Sequence, residues 1–148
     1  MQSVLRRTTL LWLLLLASLP AGAEQLERIG DYQIHYSAVN TSFLTPEVAA
    51  AYDIQRSKMM ALLSVSVLEH QPDGTMRPVQ ASVDGQVGNL AGQTTPLSFR
   101  SVREDGAIYQ LAVFRIQRDE PMRFELDVRY DRNEEPAQVA FIQRFFVE

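Results

Sequence analysis

Strict alternation of apolar and charged residues over nine positions is the sequence feature that most constrains the fold. In the stretch MRFELDVRY, from Met122 to Tyr130, every second residue is apolar and each residue between is Arg, Glu or Asp. Successive side chains of a β-strand point to opposite faces, so this stretch predicts a strand with one buried and one solvated face. An amphipathic helix would instead repeat its apolar residues every three or four positions.

The same alternation recurs in shorter stretches, which predict further strands: DYQIHYSA at 31–38, LSVSV at 63–67 and VQASV at 79–83. Two other segments, 107–116 and 139–147, are apolar at both parities. This pattern indicates central strands, or strands that the connecting helix covers. The stretch PLSFRSV changes phase, which predicts a β-bulge near Arg100 and Ser101.

Turn residues separate these segments. Pro72-Asp73-Gly74 and Glu104-Asp105-Gly106 combine proline's fixed φ or an acidic residue with glycine, as tight turns require. Short strands with turn signals between them are typical of an antiparallel β-sandwich, immunoglobulin-like in the loose sense, and seven to eight strands are expected. A closed barrel is the alternative fold. The sandwich is favoured because the strands are uneven and one long connection interrupts the hairpins.

That long connection, FLTPEVAAAYDIQRSK, contains the signals of one short helix near residues 45–52. Thr45 can cap the helix, proline suits its first position, and an acidic residue in the first turn complements the helix dipole. A helix of about two turns does not hold alone in water, so we expect it to pack on the domain. Val48, Ala51 and Tyr52 share its predicted face, and Phe43, Leu44 and Ile54 are the predicted anchors.

The first 23 residues predict a cleaved secretory signal peptide. Arg6 and Arg7 precede an apolar run from Leu10 to Ala17, and Ala21-Gly22-Ala23 is a small-residue cleavage signal. The run is too short to span a bilayer comfortably, so no stable membrane anchor is expected after cleavage. Residues 24–148 are then one domain of a protein exported to the periplasm.

The composition of residues 24–148 excludes several function classes. Removal of Arg6 and Arg7 leaves 12 basic and 18 acidic residues, a formal net charge of −6. Nucleic acids and anionic membranes are therefore unsuitable partners, since both attract a basic face. The chain has no cysteine, which excludes disulfides, thiol chemistry and cysteine-based zinc sites.

No catalytic set is apparent, so no catalytic residue, metal site or cofactor is predicted. The two histidines have no second His or Cys at ligand spacing, and no G-x-S-x-G motif is present. The best candidates for a contact site lie around the connection, because binding residues are often carried by loops on a rigid scaffold. They are Asn40, Thr41, Tyr52, Arg56, Ser57 and Lys58, together with His35 on the polar face of its strand.

Three functions are compatible with this pattern, and a fourth, a subunit of a fibre or secretion apparatus, would need an open sheet edge or a donor strand. The first is a non-catalytic interaction module that contacts an unknown envelope protein through the 40–58 connection. The second is a carrier of a small apolar or glycan ligand, held between the sheets or under the helix. The third is a hydrolase in which His35 works with a carboxylate or serine. A monomer is expected.

The chain also resembles a known family. The stretches GDYQIHYSAVN and NTSFLTPEVAAAYDIQRSKMMALLSVSVL, with the later QPDGT, PLSFR and DGAIYQLAVF, are similar to the secreted proteins of Gram-negative bacteria grouped as domain of unknown function 4426. The resemblance covers nearly all of residues 24–148. It implies a periplasmic β-rich domain, and it carries no activity, ligand or catalytic residue with it.

Overall fold

The computed structural model describes residues 24–147, so the predicted signal peptide lies outside the described part of the chain. The described residues form two antiparallel sheets, which confirms the sandwich class. The number of strands exceeds the seven to eight expected. The ten strands are β1 Glu24–Ile29, β2 Tyr32–Asn40, β3 Met60–His70, β4 Met76–Val79, β5 Ser82–Gly88, β6 Thr94–Pro96, β7 Arg100–Glu104, β8 Ala107–Arg115, β9 Pro121–Arg129 and β10 Ala137–Arg144.

The first sheet has the strand order β1-β2-β3-β8-β7, with β4 also paired to β3. The second sheet has the order β10-β9-β5-β6. In β9 the alternation of MRFELDVRY becomes alternating burial, with Met122, Phe124, Leu126 and Val128 facing the first sheet. The apolar period of the sequence is therefore the inner face of the second sheet.

Two predicted local features are replaced by crossings between the sheets. The single strand predicted at 79–83 is divided, because β4 ends at Val79 in the first sheet and β5 begins at Ser82 in the second. The bulge predicted near Arg100 and Ser101 is also wrong. The chain crosses between sheets there, so Leu97 packs on the inter-sheet core while Val102 packs on the outer face of the first sheet.

The two segments with apolar residues at both parities have different positions. β8 is an interior strand, as predicted, and its outer face is partly covered by the connection. β10 is an edge strand, so the prediction of a central or helix-covered strand at 139–147 is wrong. Its outward apolar residues Ile142 and Phe146 remain exposed.

Aromatic side chains fill the centre of the sandwich. Phe124 is fully buried, and its ring stacks on Phe141 with centroids 4.5 Å apart. Phe114 and Phe145 meet the Phe124 ring edge-on, at 5.1 and 6.2 Å. Because such geometries stabilise aromatic pairs beyond the area they bury, this cluster joins the two sheets.

The predicted helix is present as α1, Pro46–Ala51, and the Thr45 hydroxyl accepts a hydrogen bond from the Val48 amide. The predicted face is partly buried only at Tyr52. Val48 is 39% exposed and Ala51 is exposed, whereas Ala49, outside that face, is buried. Leu44 and Tyr52 pack with Ile54 on Leu62 and Leu111, so the connection covers part of the outer face of the first sheet. The predicted anchor Phe43 is 75% exposed.

Candidate functional site

One end of the sandwich gathers most of the candidate residues, and we call it the connection end. Here β2 ends at Asn40 and β3 begins at Met60, which pairs with Arg115 at the end of β8. A 3-10 turn, Thr41–Phe43, follows β2 directly and leads into α1. The C-terminal residues after β10 reach the same end, because the Asn40 side chain donates to the Phe146 carbonyl over 2.8 Å.

Thr41 links the two ends of the connection through hydrogen bonds of its buried side chain. Its side chain is fully buried, and its hydroxyl accepts from the Ser57 amide over 2.9 Å. The same hydroxyl lies within donor distance of two carbonyls, Ser57 at 2.9 Å and Met60 at 3.1 Å. A single side chain therefore joins the start of the connection to its return into β3.

Asn40 plays a similar role toward the C-terminus. It is 6% exposed, and its amide bonds the Phe146 carbonyl. Gln143 adds a second link, since its side-chain amide donates to the Ala38 carbonyl over 2.9 Å. Asn40 and Thr41 thus stabilise the connection end and do not line the polar rim predicted for them.

The remaining predicted contact residues of the connection differ in exposure. Arg56 is exposed and donates to the Ser42 carbonyl over 3.0 Å. Ser57 is half-buried, and its hydroxyl accepts from the Met59 amide. Lys58 is exposed. Of this set, Arg56 and Lys58 present side chains that a partner could reach.

Tyr52 ends α1 and faces the β7–β8 hairpin. Its carbonyl accepts a hydrogen bond from the Arg100 guanidinium. A hydrogen bond from its hydroxyl to the Glu104 carboxylate, followed by burial, raises the pKa of Tyr52 to about 12. Both causes favour the neutral phenol. The connection is therefore fixed to β7 by two contacts, and the one through the Tyr52 hydroxyl needs a protonated tyrosine.

These contacts predict an alkaline loss of stability. Because the folded pKa of Tyr52 lies above the unfolded value, its contribution is complete below pH 10 and falls as the pH rises toward 12. We expect Tyr52→Phe to be less stable at pH 8 and to lose less additional stability between pH 9 and 11. Urea unfolding midpoints of both proteins across this range would test the expectation, and parallel curves would contradict it.

Two exposed aromatic residues at the connection end were not among the predicted contact residues. Phe43 is 75% exposed and Phe146 is 68% exposed. They flank the same hydrogen bond, since Phe43 follows Asn40 by three residues and the Phe146 carbonyl accepts from the Asn40 amide. We call Phe43, Phe146, Arg56 and Lys58 the aromatic rim. The sequence signal that could have found Phe146 is the adjacent pair Phe145-Phe146. In an extended chain two adjacent side chains point to opposite faces, so only one of them can face the core.

His35 lies away from this end, on the outer face of β2. Its Nδ1 lies 2.6 Å from a Glu24 carboxylate oxygen, and its Nε2 lies 3.2 Å from the Gln33 side-chain oxygen. The groove beside it has a volume of 370 Å³ and is lined partly by Ser64 and Ser66. No serine hydroxyl among the described residues is hydrogen-bonded to His35, so the serine–histidine contact that a triad requires is not formed.

Two places where a carrier could hold its ligand are filled by side chains. At the centre of the sandwich the aromatic cluster fills the core. Under α1, the side chains of Ile54, Leu62 and Leu111 pack together. A ligand at either of these two places would have to displace core side chains.

Two further findings concern the whole described range. Residues 24–147 contain no group of three or more His, Cys, Asp or Glu side chains placed to hold a metal ion. No helix in this range has the length and hydrophobicity that crossing a membrane requires.

Solved structures share this architecture. A DUF4426 family protein from Pseudomonas aeruginosa is 37% identical, with a TM-score of 0.73, and the match covers 86% of this chain and 98% of that one. FetP from uropathogenic Escherichia coli strain F11, expressed in the E. coli periplasm, is 9% identical with a TM-score of 0.59, covering 85% of this chain and 95% of FetP. A copper-bound variant of FetP is 10% identical with a TM-score of 0.57, covering 85% and 92%. The likeness to FetP shows a shared fold.

Comparison of the sequence with family models and curated proteins gives two results. None of the curated proteins compared matches the chain. The family described as "Domain of unknown function (DUF4426)" matches residues 26–148. That range includes every strand from β2 to β10, both sheets and the connection end. The chain therefore belongs to the DUF4426 family.

Proposed function

We propose that this chain is a non-catalytic recognition domain that binds an envelope protein through the aromatic rim. The observation that carries the proposal is the exposure of two phenylalanines, Phe43 and Phe146, on segments that the partly buried hydrogen bond from Asn40 to the Phe146 carbonyl joins. Aromatic side chains dominate the binding energy of many protein interfaces. Their exposure on a fixed base is therefore the feature most suited to recognition.

The base under these residues supports the proposal. Thr41 and Asn40 hold the backbone on both sides of the rim through buried hydrogen bonds. A surface that is already ordered loses less conformational entropy when it binds. The exposed cations Arg56 and Lys58 lie at the end of the connection and suit a partner with acidic groups near its apolar contact.

Export to the periplasm is part of the proposal. It is supported by the predicted signal peptide at 1–23. FetP supplies a fold precedent from a protein made in that compartment. Copper binding, which the FetP variant shows, is not proposed for this chain, because no group of three or more His, Cys, Asp or Glu side chains is placed to hold a metal ion among residues 24–147.

Site-specific photo-crosslinking tests the proposal. A photoreactive amino acid replaces Phe43 or Phe146 in the full-length chain, expressed in the cells that naturally make it. The matched control places the same group at Leu90, which is 60% exposed in the β5–β6 loop. We expect one discrete adduct at both rim positions and none at Leu90.

A second variant separates specific contact from general stickiness. Phe43→Ser removes an exposed side chain, so the free energy of unfolding should change by less than about 0.5 kcal/mol. The Phe146 adduct should nevertheless fall at least tenfold in this variant. Equal adduct yields at Leu90 and the rim, or no effect of Phe43→Ser, would contradict the proposal.

A further inference from the structure

Part of strand β8 in the first sheet has no hydrogen-bonded neighbour on one side, and we call this part the open edge. β8 pairs with β3 along residues 110–115, but β7 pairs only with residues 107–111, and the last pair is Arg100 with Leu111. Residues 112–115 therefore have a neighbouring strand on one side alone. In an antiparallel ladder alternate residues bond to opposite sides, so every second residue of this segment directs its amide and carbonyl outward.

A cleft lined by both apolar and polar groups lies beside this open edge. It has a volume of 530 Å³, and strand β6 of the second sheet, at Thr95 and Pro96, contributes to its lining. Its other lining residues include Val87, Phe114, Ile116 and Met122, all of which belong to the inter-sheet core. The cleft therefore gives access from solvent to side chains at the margin of the core.

The cleft carries a single positive charge. Of the described residues that line it, only Arg115 is charged. Arg115 is exposed and has no carboxylate partner within residues 24–147. A guanidinium in the lining of the cleft, without a carboxylate partner in the described residues, favours a partner that carries one carboxylate, through paired charge-assisted hydrogen bonds.

We propose that the open edge of β8 at 112–115 accepts an extended segment of a partner protein as an added strand. The segment would carry apolar side chains at alternate positions, facing the cleft, and one carboxylate near Arg115. Backbone hydrogen bonds would supply affinity and the cleft would supply selectivity, as in other cases of strand addition. Four paired residues correspond to about 13 Å of strand.

The inference rests on the proposed function and specifies its partner. Arg115 pairs with Met60, whose carbonyl lies 3.1 Å from the Thr41 hydroxyl, so the open edge meets the connection end. A partner bound along β8 could continue onto the aromatic rim. The other outer strands of the first sheet are β1, β4 and β7, and each carries charged residues, which discourage strand pairing.

Peptide selection with hydrogen exchange tests the inference. A phage-displayed library of random peptides, about nine residues long to allow one strand, is selected against the full-length protein. We expect enriched peptides to have alternating apolar residues and one acidic residue. In their presence, amide exchange should slow at alternate positions within 112–115 and stay unchanged in β10, the edge of the second sheet.

Charge reversal supplies the control. Arg115→Glu should weaken binding of the selected peptides at least tenfold, while Arg129→Glu, an exposed arginine on β9, should leave it unchanged. Both positions are exposed, so the unfolding midpoints should match the wild type.

Three results would overturn the inference: no enrichment, protection at another edge, or equal binding by Arg115→Glu. Protection of 112–115 in concentrated protein alone, with a dimer mass, would show that a second copy fills the edge. Crosslinks at the rim without protection at β8 would leave the proposed function standing and reject strand addition.

Discussion

Phe124→Ala is expected to lower the free energy of unfolding by about 3–5 kcal/mol. The side chain is fully buried, and its ring contacts Phe114, Phe141 and Phe145. Removal leaves a cavity at the point where β8, β9 and β10 meet, and the surrounding rings cannot close it without moving both sheets. Because a domain of this size is stable by about 5–15 kcal/mol, the variant should be near its folding threshold.

Urea unfolding followed by tyrosine fluorescence would measure this loss. The control is Phe146→Ala, which removes a ring that is 68% exposed and should change stability by less than about 0.5 kcal/mol. The two variants make the same chemical change, one in the core and the other at the surface. A loss below about 1 kcal/mol for Phe124→Ala would mean that the aromatic cluster does not hold the sheets together.

Thr41→Val is expected to cost about 2–4 kcal/mol, although valine nearly matches threonine in shape. The hydroxyl bonds the Ser57 amide and faces the Ser57 and Met60 carbonyls, and the residue is fully buried. Valine would leave the Ser57 amide without this partner in an apolar environment. An unsatisfied buried donor or acceptor is more costly than the average hydrogen bond is stabilising.

The control for this prediction is Thr95→Val in β6, where threonine is exposed and the change should be nearly neutral. Hydrogen exchange would add a local readout. We expect amides in 41–60 to exchange faster in Thr41→Val, while those of β9 keep their protection. A loss of stability without local acceleration would show that Thr41 acts on the core as a whole.

The features that followed from sequence are those that depend on neighbouring residues. Alternation predicted β2, β3 and β9 because the strand period is fixed by the backbone. The helix was predicted because capping by Thr45 needs only the next three residues. β1 was not predicted, since EQLERI has too few apolar residues to show a period.

The features that failed depend on where distant segments meet. Nothing near Val79 shows that the chain changes sheets there, and nothing in β10 shows that it lies at an edge. The same applies to the site. Asn40 and Thr41 are polar residues that become buried because the C-terminus and Ser57 satisfy them. The open edge at 112–115 exists because β7 is shorter than β8 and begins opposite Leu111, which is a relation between two strands.

The position of β10 has a consequence for how the chain reaches its native state. A polypeptide leaves the ribosome with its amino terminus first. β10 is the last strand of the described chain, yet it supplies Phe141 to the core and is followed by Phe145 and the Phe146 carbonyl that Asn40 binds. The sandwich core therefore stays incomplete, and open to proteases, until β10 has emerged. Premature termination before residue 137 would leave a fragment that cells can recognise and degrade.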